Sequence, residues 1–318
     1  MMRRALTAAA VLALILSGCA STTVEEPPQA SPNDFALDLD FPDPDVLEVN
    51  GTFYAYATNA PGTNVQVASS PDLASWQLED VDALPELPDW AAPGKTWAPE
   101  VTELADGTYA MYFTTASITP AAQCIGVATS ADPLGPFTAV GSALVCPADD
   151  GGAIDASTFR DADGALYLLF KNDGNCCGLD TWLQIAPLAA DGLTLTAEPT
   201  RLVKQTEEWE GNLVEAPTLI EREGQYVLFY SANDYGGENY ATGYAVADSV
   251  LGPYVKAPQP LMTTDLSDGR YIGPGGQDVV AGPDGDVIVF HSWDDNIIQR
   301  GMNVLPLKWI DGEPVVFD

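Results

Sequence analysis

One phrase recurs five times in this chain: an apolar run, a turn centred on glycine, and a second apolar run that ends in aromatic residues. The copies read VLEVNGTFYAYAT, VTELADGTYAMYF, STFRDADGALYLLF, PTLIEREGQYVLFY and DVVAGPDGDVIVFH, with turn glycines Gly51, Gly107, Gly164, Gly224 and Gly285. The steps between these glycines are 56, 57, 60 and 61 residues. A hairpin repeated at a nearly constant period, with short strands between copies, predicts the blades of a propeller. A single blade cannot bury both faces of its sheet, so the five copies are expected to close into one domain. Related phrases at 65–76, 125–137 and 243–254, and a looser one at 181–195, supply the outer strands. No segment carries an amphipathic helical period. The prediction is an all-β, five-bladed β-propeller over residues 38–318.

The N-terminus opens with Met1-Met2-Arg3-Arg4, continues through a short apolar stretch and reaches Leu16-Ser17-Gly18-Cys19. A basic segment, an apolar segment too short to span a bilayer, and small residues before a cleavage point make a secretory signal over residues 1–18. Leu-Ser-Gly-Cys resembles the bacterial lipoprotein box, which implies lipidation of Cys19 and an anchor on the outer face of the cell membrane. Ordinary signal cleavage beside an incidental cysteine is the alternative. The polar, Pro-rich stretch 19–37 reads as a flexible tether.

Four cysteines follow Cys19, an even number that invites pairing in an oxidising compartment. Cys124 precedes one outer strand of blade two and Cys146 ends the next, so a Cys124–Cys146 disulfide is expected. Cys176 and Cys177 are either a vicinal disulfide or two free thiols. The formal charge of −34 becomes −36 once Arg3 and Arg4 leave with the signal. Such a surface repels phosphate backbones and excludes nucleic acid as a partner. Most of the excess carboxylate reads as solvated surface, membrane contact is expected only through the lipid, and a monomer is expected.

A carboxylate precedes each turn glycine: Asp43, Glu100, Asp155, Glu215 and Asp278, at distances of 8, 7, 9, 9 and 7 residues. The innermost strand of each blade lines the central channel, so these acids are expected to converge at its mouth. Glycoside hydrolysis needs such a set, with one acid protonated to release the leaving sugar and one ionised to activate water. Repulsion and partial burial would raise the pKa of at least one. The alternative is that several of the five only cap backbone amides.

FPDPDVL around Asp43, TWAPEV at 96–101, AIDASTF around Asp155, LVEAPTL around Glu215 and FHSW around His291 together resemble glycoside hydrolase family 43, in order and spacing across 38–318. The resemblance implies an inverting hydrolase of arabinose- or xylose-containing polysaccharides. It implies that Asp43 is the general base, Glu215 the general acid, and Asp155 the residue that orients the sugar and raises the donor's pKa. Asp45 is the rival to Asp43, two residues on, but the family places its catalytic Asp before proline. The chain departs from the commonest pattern at Ala156, where many relatives carry proline.

His291, the single histidine, stands where the other blades carry Ala57, Phe113, Phe170 and Tyr230. Read blind, it is a satisfied core residue; the resemblance implies a place on the axis near one calcium ion, with waters supplying most of the shell. Trp97 is a candidate wall for a sugar face or a packing residue, with Trp209 and Trp293 weaker candidates. KNDGN (171–175) and GPGGQD (273–278) are polar loops beside the expected mouth. A non-catalytic sugar-binding lipoprotein feeding an importer is the competing reading. The three acids argue against it, since binding alone needs neither a base nor an acid. A fructosyl hydrolase is a third reading, but its usual Trp-Met-Asn-Asp-Pro and Arg-Asp-Pro motifs are absent.

Overall fold

The computed structural model of this chain describes residues 35–317. The signal segment, the lipidation residue Cys19 and the tether up to residue 34 lie outside those residues.

Each repeated hairpin forms the first two strands of a blade. The inner strands run Asp45–Val49, Ala91–Glu103, Ala153–Arg160, Val214–Arg222 and Ile272–Gly282, each paired antiparallel with the strand beyond its turn. The turn glycines all have positive φ, from 82° to 129°, which is why glycine recurs at that point of the repeat. Four blades add a third and a fourth strand in simple meander order. The inner strands neighbour one another cyclically, with that of blade five returning to that of blade one. The domain is a five-bladed β-propeller.

The apolar second strands follow from this packing. Five hydrophobic clusters lie one in each interface between neighbouring blades. In blade two, Met111 and Phe113 face blade one while Tyr112 faces blade three, and all three are fully buried. Both faces of the strand therefore need apolar side chains, which removes the polar alternation of a half-exposed strand.

Blade five has three strands of its own, ending with Arg300–Pro306. The N-terminal segment completes it: Leu37 and Met302 exchange two backbone hydrogen bonds of 3.2 Å, and Phe41 N donates to Arg300 O at 3.0 Å. Leu37 is buried in the cluster between blades five and one, and Gly301 lies directly under the Phe35 ring. The expected end of the tether at residue 37 is therefore corrected, because residues 35–37 already belong to the propeller.

Cys124 and Cys146 are joined by a disulfide in blade two, with Cα atoms 4.6 Å apart. Cys176 and Cys177 are bonded to each other within the short turn Gly174–Cys177.

Candidate active site

A cleft of about 660 Å³ opens on the channel, within the range of small-ligand sites. Inner strands enter it through a left-handed residue: Asp43 (φ 55°), Ala98 (38°), Asp155 (57°), Ala216 (50°) and Gly276 (57°). In blades two to five this coincides with an irregularity in the pairing of the first two strands. A bulge re-aims side chains that regular alternation would leave facing into the sheet.

All five acids, and Asp45 with them, line this cleft, so they converge as the spacing predicts, while their hydrogen bonds sort them into two levels. Asp45, Glu100 and Asp278 form the deeper level, where each accepts a backbone amide of the next blade. Asp278 Oδ2 takes Val46 N–H (2.9 Å), Asp45 Oδ2 takes Val101 N–H (2.8 Å) and Glu100 Oε1 takes Thr158 N–H (2.8 Å). Glu100 also accepts the Thr158 hydroxyl. Blades four and five are joined differently, with Thr218 Oγ1 donating to Gln277 O (2.8 Å) and Gln277 Nε2 to Ala216 O (2.7 Å). Burial raises all three deep acids: Asp45 well above its usual range, with help from Glu100 and Asp278, Glu100 to about 7 and Asp278 to about 6. Asp45, the rival of Asp43, belongs to this latching set.

Asp43, Asp155 and Glu215 form the upper level and line the cleft together. Thr58 Oγ1 donates to Asp43 Oδ2 at 2.7 Å, and Arg300 Nη1 stands 3.9 Å from the same oxygen. Asp155 Oδ2 accepts Ala216 N–H (3.0 Å), so this acid latches blade three to blade four and also faces the cleft. Burial and then the Glu215 charge push Asp155 up to about 8, with Lys171 opposing the shift. Glu215 is held at both oxygens, by Lys171 Nζ (3.0 Å to Oε2) and the Tyr240 hydroxyl (2.8 Å to Oε1). Burial and the neighbouring Glu215 and Asp43 charges raise the Tyr240 phenol well above its usual value, so it stays a donor.

His291 is fully buried on the second strand of blade five, stacked on Tyr240 with centroids 5.8 Å apart. Its Nδ1 accepts the Asp43 amide at 3.1 Å. An amide always carries its hydrogen, so Nδ1 must present a lone pair and Nε2 must carry the imidazole hydrogen. Nε2 is buried without a hydrogen-bond partner among the described residues. Burial, then the Arg300 charge, holds the imidazole pKa well below 6.5, so the ring is neutral. A ring nitrogen that carries its hydrogen has no lone pair for a cation, and no group of three or more His, Cys, Asp or Glu among the described residues is arranged to hold a metal. Direct ligation of the expected calcium by His291 does not fit this arrangement.

Trp97 lines the cleft, half-buried, with Lys95 Nζ 6.0 Å from its ring. Trp209 instead packs between blades, stacked on Tyr230 at 5.9 Å. Trp293 lies beside the rim, donating to Tyr235 O at 2.7 Å. Lys171, Tyr240, Thr58 and Arg300 were not singled out from sequence. Only Lys171 left a trace there, as the first residue of the polar segment KNDGN (171–175).

The model of the glycosyl hydrolases family 43 matches residues 36–314. The chain belongs to this family. It is therefore a glycoside hydrolase. Among curated family members, it is 28% identical over 270 residues to the β-D-galactofuranosidase xynD of Aspergillus niger, covering 79% of this chain and 73% of that protein. It is 26% identical over 299 residues to the extracellular endo-α-(1→5)-L-arabinanase 1 of Bacillus subtilis, covering 86% of each. A thermostable family-43 glycoside hydrolase superposes with a TM-score of 0.78 at 29% identity, covering 87% of this chain and 92% of that one. An endo-1,4-β-xylanase from Bacteroides thetaiotaomicron superposes at 0.76 with 28% identity, covering 90% and 97%.

Proposed function

We propose that this family-43 enzyme is an exported, inverting hydrolase of α-L-arabinofuranosyl or β-xylosyl linkages in plant cell-wall polysaccharides such as arabinan and arabinoxylan. The observation that carries the reading is the meeting of Asp43 and Glu215 from blades one and four in one cleft, with Asp155 beside Glu215. Asp43 is the general base that deprotonates the attacking water. Glu215 is the general acid that protonates the glycosidic oxygen as that bond breaks. Asp155, raised to about 8, keeps a proton within the Asp155–Glu215 pair at neutral pH and orients the sugar. Trp97 offers an indole face for a sugar ring. The arabinanase and xylanase names among similar proteins support the pentose substrates. The galactofuranosidase relative adds a furanosyl hexose to be tested. Export with lipid on Cys19 is proposed from Leu16-Ser17-Gly18-Cys19, and palmitate labelling that disappears in Cys19→Ala would support it.

The test is release of 4-nitrophenol from the α-L-arabinofuranoside, β-D-xyloside and β-D-galactofuranoside, with linear arabinan and arabinoxylan alongside, by residues 20–318 and by Glu215→Ala. Turnover by the parent, reduced about 10²–10⁴-fold in the variant, is expected. A folded protein that binds oligosaccharide and turns over none of the five would return the balance to a sugar-binding lipoprotein.

A further inference from the structure

Glu215, assigned above to donate a proton, is gripped by two hydrogen-bond donors, and one of them is a lysine with no exposed side-chain surface. Lys171 is the penultimate residue of the second strand of blade three, Leu166–Asn172, opposite the bulge that carries Asp155. Taking an ammonium out of water costs several kcal/mol unless carboxylates compensate. Here Glu215 stands at 3.0 Å and Asp173 at 3.9 Å. Burial works against the Lys171 charge, but Glu215, Asp155 and Asp173 outweigh it and raise the lysine pKa above its ordinary value. Lys171 is thus a fixed cation wherever the enzyme works.

A cation and a phenol hydroxyl both favour a carboxylate over a carboxylic acid, whereas a proton donor must hold its hydrogen. The two demands meet in the Asp155–Glu215 pair. Asp43 and Asp173 add negative charge around it, His291 is neutral, Tyr240 stays protonated and Arg300 stands against Asp43. Lys171 opposes the rise of Asp155 and so eases loss of its proton.

We propose that Lys171 is a positioning residue for the reaction: with Tyr240 it fixes the direction of the Glu215 carboxylate, and its charge determines the pH at which the neighbouring Asp155 gives up its proton. This rests on the reading of Glu215 as the proton donor.

The test compares kcat and KM against pH for Lys171→Met, Lys171→Gln and Lys171→Arg, on 4-nitrophenyl α-L-arabinofuranoside and β-D-xyloside. Without the cation, the basic limb of kcat/KM should move upward by about one pH unit or more. The kcat should fall about tenfold or more while KM changes by less than about threefold. Lys171→Arg should restore the limb. Lys171→Gln, a donor without charge, serves if the Met variant does not fold. Activity lowered in all three with the limb unmoved would reduce Lys171 to a structural ion-pair partner and overturn the proposal. Side-chain carboxyl 13C NMR, assigned through Asp155→Asn and Glu215→Gln, follows the pair without turnover. Midpoints unchanged by loss of Lys171 overturn the proposal, whatever the activity. Midpoints that move in a protein inert on both glycosides support the Lys171 effect and count against the hydrolytic reading alone.

Discussion

The Nδ1 of His291 accepts the backbone amide of Asp43 at 3.1 Å, so the one histidine of the chain holds the start of blade one from blade five. This contact crosses the interface at which the propeller closes, and it sets the position of the proposed general base. It also determines the tautomer, because the amide leaves Nδ1 no room for a hydrogen.

A single imidazole makes that tautomer directly measurable. The 15N spectrum should show a protonated Nε2 and an unprotonated Nδ1, and the ring should remain neutral at pH 6.5, where an ordinary imidazole is half charged. A protonated Nδ1 would contradict the Asp43 contact and free the Nε2 lone pair of His291 for a metal.

Asp43 and Asp45 should separate cleanly by substitution. Asp43→Ala is expected to lower kcat/KM about 10²–10⁴-fold with little loss of stability. Asp45→Ala strands the buried Val101 amide and should cost about 1–3 kcal/mol in urea unfolding. The reverse pattern would make Asp45 the base.

The deep acids predict a pH dependence of stability. Glu100 and Asp278 are raised to about 7 and about 6 from ordinary values of 4.5 and 3.8, and Asp45 is raised with them. A raised acid binds its proton more tightly in the folded state, so its contribution is complete at about pH 4 and is lost as pH rises through its folded value. The buried neutral His291 acts in the opposite sense below 6.5, whereas Asp155, raised to about 8, adds to the trend of the three deep acids. The Tm is expected to be about 3 °C or more higher near pH 5 than near pH 8. Glu100→Gln, which cannot ionise, should flatten that slope, and an unchanged slope would remove the deep acids as its cause.

Gly276 tests the packing of the upper level. A Cβ there would lie 2.6 Å from the His291 ring and 2.7 Å from Asp43 Oδ1, at a φ of +57°. Gly276→Ala should destabilise by about 1–3 kcal/mol and reduce kcat more than it changes KM. A variant of parental stability and activity would show that His291 and Asp43 yield freely.

The five-fold hairpin, the blade order and the candidate acids were legible because they depend on local repetition. Turn glycines need positive φ wherever they occur, and buried second strands need apolar side chains on both faces. Motif resemblance also singled out Asp43, Asp155 and Glu215 and preferred Asp43 to Asp45. The count back from each glycine differs between the two levels, but only the bulged pairing of blades two to five shows what the difference means. Asp43, Asp155 and Glu215 stand eight or nine residues before their glycines and face the upper cleft, while Glu100 and Asp278 stand seven before and latch blades.

Lys171 and Tyr240 were invisible as partners of Glu215, 44 and 25 residues from it in sequence. The sequence by itself determined that five similar hairpins must close into a ring and which acids stand near its centre, since those follow from period and composition within each copy. Only the tertiary structure decided which of the converging acids latch neighbouring blades, which way His291 presents its lone pair, and what grips Glu215. These depend on contacts between blades, where bulge geometry and burial, rather than residue spacing, set distance and charge.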